Sequence, residues 1–202
     1  MSEQDRNAEH ARAMKALKAE RDAMMAEKRE GEGLLMVHTG DGKGKSTAAF
    51  GMVARAMGWG YKVGVVQYIK GKWITGERQF FKRFPEQVRY AVMGEGFTWD
   101  VADRVRDIAA ARAAWTTSLE MIADPELHLV VLDELNIALR YEYLPLDEVL
   151  AALKARPADK HVCVTGRDAP QALLDAADLV TEFNAVRHPF DAGFKAQRGV
   201  DF

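Results

Sequence analysis

One stretch constrains this chain more than any other. The apolar run Leu34-Leu35-Met36-Val37 leads into Thr39-Gly40-Asp41-Gly42-Lys43-Gly44-Lys45-Ser46-Thr47, and a helix-forming stretch follows from about Ser46 to Met57. Glycines let the backbone bend until successive N–H groups face one concavity. The helix that follows adds the positive end of its dipole. Lys45 supplies a mobile cation, and the Ser46 hydroxyl is the type of group that ligates Mg²⁺. Strand, glycine loop, lysine, hydroxyl and helix in this order form a phosphate-binding P-loop. Gly40, Asp41, Gly42, Lys43, Gly44, Lys45, Ser46 and Thr47 are therefore the expected nucleotide contacts, with Lys45 acting on the phosphates in the reaction. The match departs from the usual pattern in its first position, where Thr39 stands for glycine and Gly40 comes one residue late. Asp41 and Lys43 also place charges inside the loop.

The rest of the chain reads as strands alternating with helices. Val63–Val66, Val88–Val92, His128–Leu132, Val162–Val164 and Leu179-Val180 are further short apolar runs. Helical patterns lie between them near 76–84, 101–123, 145–155 and 168–177. Continuous apolar strands separated by helices predict an open, mostly parallel α/β sheet covered on both faces. The expected class is P-loop NTPase-like (RecA-like) over residues 33–202. Residues 1–32 differ. They are rich in Ala, Met, Glu, Lys and Arg, with a thin apolar stripe at Ala11, Met14, Leu17 and Met24. They predict a helical arm that needs a partner surface, or else a solvated terminal helix.

A second acidic element is expected across such a sheet. Leu129-Val130-Val131-Leu132-Asp133-Glu134 is an apolar strand ending in carboxylates, the form of a Walker B strand. One of the two carboxylates, Asp133 or Glu134, is the expected metal ligand beside Ser46. Taken alone, the acidic pair also suits a helix start. Together the two motifs define nucleoside triphosphate binding and leave the reaction open. A formal net charge of -2 gives no global basic field for nucleic acid or anionic lipid. The single cysteine, Cys163, excludes an internal disulfide framework. No apolar run approaches membrane-spanning length, and the expected location is cytoplasmic.

Several segments narrow the chemistry. Besides the loop itself, these are Gln67-Tyr68-Ile69-Lys70-Gly71-Lys72-Trp73 with Gly76-Glu77, Gly96-Phe97-Thr98-Trp99, Val130-Val131-Leu132-Asp133-Glu134, Val164-Thr165-Gly166-Arg167, and Phe190-Asp191-Ala192-Gly193 with Lys195-Ala196-Gln197. In order and approximate spacing the chain resembles the bacterial ATP:corrinoid adenosyltransferases of cobalamin synthesis and salvage over about residues 33–202. Gly-Phe-Thr-Trp and Phe-Asp-Ala-Gly discriminate, since ordinary P-loop kinases carry neither.

The resemblance implies that the 5′-deoxyadenosyl group of ATP moves to the Co(I) centre of a reduced corrinoid, with inorganic triphosphate leaving. It implies Mg²⁺ with ATP, held by Ser46 and by Glu134 rather than Asp133, a flavoprotein reductant and a homodimer. It also makes Phe97 and Trp99 the candidates for the corrinoid face, where bulky apolar groups would exclude water and the lower cobalt ligand. Without the resemblance, aromatics before a helix read as packing. Arg167, after a strand and a Thr-Gly turn, and Arg55, two turns into the loop's helix, are further nucleotide contacts in this reading; surface positions are the alternative for both. The competing activity is a P-loop ATPase or small-molecule kinase, in which Glu134 would orient water or a hydroxyl.

Overall fold

The computed structural model describes residues 2–28, 31–69, 75–92 and 104–201. The chain divides into two compact units, Met1–Glu32 and Gly33–Phe202. The first holds α1 (Glu3–Ala26), none of whose side chains is buried. Ser2 starts it with a capping box: its hydroxyl accepts the Asp5 N–H at 3.2 Å, and the Asp5 carboxylate accepts the Ser2 N–H at 2.9 Å. Two otherwise orphaned donors are thus satisfied at the helix start.

The second unit is a six-stranded parallel sheet in the order β3-β2-β4-β5-β1-β6. Its strands are β1 (Leu35–Thr39), β2 (Lys62–Gln67), β3 (Val88–Val92), β4 (Leu127–Asp133), β5 (His161–Thr165) and β6 (Leu179–Glu182). Helices α2 (Lys45–Gly58), α3 (Gly76–Phe81), α4 (Arg104–Ala123), α5 (Leu135–Arg140), α6 (Leu146–Lys154) and α7 (Gln171–Ala176) connect them. All six apolar runs of the sequence become strands, and among the described residues every pairing is parallel rather than mostly so. Helix α5 was not expected. Residues 101–103 of the anticipated fourth helix lie outside the described residues.

Both faces of the sheet are covered, and the period of two along each strand decides which side chain serves which face. Leu35, Val37, Val130, Leu132, Val162 and Val164 join Trp115 of α4, Leu135 of α5 and Val149 and Leu153 of α6 in one apolar cluster. Their neighbours Met36, Leu129, Val131 and Cys163 join Ala49, Phe50 and Val53 of α2 and Phe81 of α3 in the other. Each fully buried aliphatic side chain contributes roughly 1.5–3 kcal/mol of transfer free energy. That burial fixes strand register. A one-residue slip would exchange the two clusters along a strand.

The topology also places the chemistry. β5 stands between β1, which feeds the glycine loop, and β4, which ends in the carboxylates. All three strands run parallel, so their C-terminal ends share one edge, the edge at which open α/β sheets bind ligands.

Candidate active site

The loop between β1 and α2 is shaped from outside as well as by its glycines. After β6 the chain lies against it: Gly42 N–H donates to the Phe183 carbonyl at 2.6 Å, and Phe183 N–H donates to the Thr39 carbonyl at 2.9 Å. A Cβ at Gly42 would come within 2.7 Å of the Phe183 oxygen and 2.8 Å of the Asn184 carbonyl carbon. Those are backbone atoms that cannot step aside. Gly44 precedes the helix at φ 116°, a conformation that L side chains rarely adopt.

Lys45 opens α2 and is buried. Its ammonium donates to the carbonyls of Gly40 and Gly42, both at 2.7 Å, so lysine and loop brace each other. Burial lowers its pKa from the ordinary lysine value, while the charge of Glu134 opposes that shift.

The two carboxylates at the end of β4 occupy different environments. Asp133 is buried and both its oxygens are engaged, Oδ2 by the Gln67 amide at 3.0 Å and Oδ1 by the Thr165 hydroxyl at 2.8 Å. The same hydroxyl accepts the Glu134 N–H at 3.0 Å. Glu134 lies in the left-handed region at φ 63°, uncommon for a residue with a side chain and a form of strain that clusters at functional sites. Burial first, and then the neighbouring charge of Asp133, push the Glu134 carboxyl up to about 7, with Lys45 and Arg167 pulling the other way.

These groups surround a cavity of about 610 Å³. Asp41, Gly42, Lys43, Gly44, Lys45, Ser46 and Thr47 line it from the loop, Gln67 from β2 and Asp133 and Glu134 from β4. Arg167, His188 and Asp201, with Glu77 and Arg140, add further polar wall, and Phe50, Ile69 and Ile137 supply apolar surface. Arg167 also approaches Asp41, N to O, at 3.9 Å. Ser46 and Glu134, the anticipated metal ligands, thus face one space. They are hard oxygen donors of the kind Mg²⁺ takes, and a cation there would offset the burial and the neighbouring Asp133 charge that raise Glu134.

Gly40 contributes its carbonyl to Lys45 and is not itself a lining residue. Arg55 is exposed on α2 and does not line the cavity. Phe97 and Trp99 lie outside the described residues. Gln67 and Thr165 stand in segments that carry the resemblance but have no role of their own in the sequence reading, and Phe183 and Asp201 were not singled out. A polar residue closing an otherwise apolar strand was the available signal for the first two. For the contact of Phe183 there was none, because its backbone makes it.

A glycine loop between a parallel strand and a helix, faced by carboxylates at the end of another strand, defines a P-loop nucleotide-binding α/β protein. Residues 31–202 match the family described as ATP:corrinoid adenosyltransferase BtuR/CobO/CobP, and the chain belongs to that family. It is 58% identical to a corrinoid adenosyltransferase of Pseudomonas aeruginosa over 198 residues, covering 98% of each chain. It is 51% identical to the corrinoid adenosyltransferase CobA of Salmonella typhimurium over 181 residues, 90% of this chain and 91% of that one. Among solved structures it is similar to the flagellar accessory protein FlaH of Methanocaldococcus jannaschii, with TM-score 0.52, 14% identity and coverage of 75% and 71%. At that identity the likeness concerns the fold.

Proposed function

We propose that this protein transfers the 5′-deoxyadenosyl group of ATP to the Co(I) centre of a corrinoid substrate and releases inorganic triphosphate, in the synthesis or salvage of adenosylcobalamin. The observation that carries the reading is the family match over residues 31–202, which spans the whole of the unit that holds the cavity. In the reaction the electron pair of the substrate's Co(I) forms the Co–C bond. The bond between C5′ and the triphosphate oxygen breaks, and its electron pair leaves with triphosphate. No proton has to be moved, so the site needs no general base.

The chain's task is then position and electrostatics. The loop N–H groups and Lys45 hold the triphosphate and stabilise the charge that grows on it as the bond breaks. Ser46 and Glu134 would hold Mg²⁺, which supplies further neutralisation of the leaving group. Arg167 reaches the same polyanion. Phe97 and Trp99 act on the corrinoid by excluding water and the lower cobalt ligand, which brings Co(I) within reach of a flavoprotein reductant. A homodimer in the cytoplasm completes the reading.

The test is incubation with magnesium, ATP and chemically reduced cobalamin. A light-sensitive Co–C product together with tripolyphosphate, and no ADP, is the expected result. Release of ADP and phosphate without a corrinoid product would overturn it in favour of a phosphohydrolase or kinase.

A further inference from the structure

Lys43 sits in the phosphate loop between Gly42 and Gly44, and its ammonium is ion-paired with the carboxylate of Asp201. The pairing is pre-set by a local turn. The Asp201 carboxylate accepts the Gln197 N–H at 2.6 Å, and the Asp201 N–H donates to the Gln197 carbonyl at 2.7 Å. The lysine in turn holds Asp201 below the usual aspartate range. Both residues line the cavity that Lys45, Ser46 and Arg167 also line. A carboxylate is therefore paired directly with a lysine of the phosphate loop, on the wall that Lys45 and Arg167 share.

We propose that Asp201 is a positioning residue that acts through Lys43 as a built-in competitor for polyphosphate, weakening the loop's grip and speeding product release. The inference rests on the reading of this loop as the seat of triphosphate. Its logic is electrostatic. Asp201 and a polyphosphate oxygen draw on the same ammonium, and a cation already neutralised attracts less. The carboxylate also repels the polyanion directly. Such an offset suits adenosyl transfer in particular. The leaving group keeps all three phosphates and gains charge as it departs. A site that only attracted would hold its product at least as firmly as its substrate.

The probe is inorganic tripolyphosphate, titrated calorimetrically into the full-length protein at low salt. Asp201→Asn, and separately Asp201→Ser, should bind it about three- to tenfold more tightly than wild type. Asp201→Glu should stay within about twofold of wild type, and added salt should shrink the difference. In a Lys43→Gln background the Asp201→Asn substitution should lose most of its effect, which a merely structural role would not produce. Unchanged or weaker binding by Asp201→Asn overturns the inference. Equal tightening with and without Lys43 overturns it too. Lys45→Ala separates the two layers. If that variant loses tripolyphosphate while Asp201→Asn behaves as wild type, only the role of Asp201 fails. If it binds as wild type does, the loop is not the seat and both readings fall.

Discussion

The hydroxyl of Thr165 donates to the carboxylate of Asp133 at 2.8 Å across neighbouring strands. Because the same oxygen accepts the Glu134 N–H at 3.0 Å, one buried atom fixes both acidic residues at the end of β4. Asp133 is the braced member, and Glu134 is the one presented to the cavity in a left-handed backbone conformation.

Thr165→Val should expose the value of that bridge. Valine fills the same volume but leaves an Asp133 oxygen and the Glu134 N–H without their partner. Losing buried partners of this kind costs about 1–3 kcal/mol. Thr165→Ser keeps the hydroxyl and should retain most of the stability. Urea denaturation of the three proteins measures this, and an isostable Val variant would show that the bridge contributes nothing.

Glu134 gives a pH signature. Its carboxyl is pushed up to about 7 by burial and by Asp133, against an ordinary value of 4.5. The folded state therefore holds this proton more tightly than the unfolded state, and ionising Glu134 in the fold opposes stability. The cost is fully present above pH 7 and is relieved progressively as pH falls toward 4.5. Glu134→Gln should accordingly stabilise the protein at pH 8 by an amount on the order of 3 kcal/mol, and by little near pH 4.5. Mg²⁺, if it binds here, competes with the same proton, so its apparent affinity should fall about tenfold per pH unit below 7. Thermal melts across pH, paired with Mg²⁺ titrations at pH 6 and pH 8, check both expectations. In the Gln variant the pH dependence of Mg²⁺ affinity should disappear.

Lys45 is the buried cation of the loop. Lys45→Ala removes the ammonium that bridges the Gly40 and Gly42 carbonyls on the wall of the cavity proposed to hold the phosphates. A loss of at least about 2–3 kcal/mol in transition-state stabilisation is expected, roughly a hundredfold in kcat/KM. Steady-state kinetics with chemically reduced cobalamin provide the measurement, and near-wild-type turnover would remove Lys45 from the reaction.

Much of the architecture was legible because its signal is local. Each buried strand is a continuous apolar run, and the loop announces itself by glycine, lysine and hydroxyl in order. Helix α5 was missed because the apolar character of β4 passes through Asp133 and Glu134 into Leu135. The left-handed turn at Glu134 that separates the two elements has no composition of its own. Arg55 looked close to the nucleotide by count along α2. The helix, however, turns Ala49, Phe50 and Val53 to the sheet, and two residues beyond Val53 the chain faces outward. The contacts of Asp201 with Lys43, and of Phe183 with the loop, join parts of the chain far apart in sequence. The Phe183 contact directly continues the pairing of β6 with β1.

The loop's own geometry supplies the last prediction, through a comparison of two glycines. Gly42 lies under the Phe183 backbone, and a Cβ there would meet the Phe183 oxygen at 2.7 Å. No rotamer change relieves contact with a carbonyl. Either the segment after β6 or the loop must move, and the hydrogen bond from Gly42 N–H to that carbonyl is lost with it. Gly42→Ala should therefore cost about 1–3 kcal/mol of stability. It should also weaken ATP binding, because the N–H groups of the loop no longer converge. Gly51 is the control. It lies within α2, is exposed, and a Cβ there would meet nothing within 4 Å. Gly51→Ala removes backbone freedom from the unfolded chain and improves helix propensity, so it should stabilise by roughly 0.4–1 kcal/mol. Chemical denaturation of both variants, with ATP titration of each, tests the pair. Opposite signs in stability, with an affinity loss only at Gly42, are expected. Equal behaviour of the two would mean that Phe183 does not shape the loop.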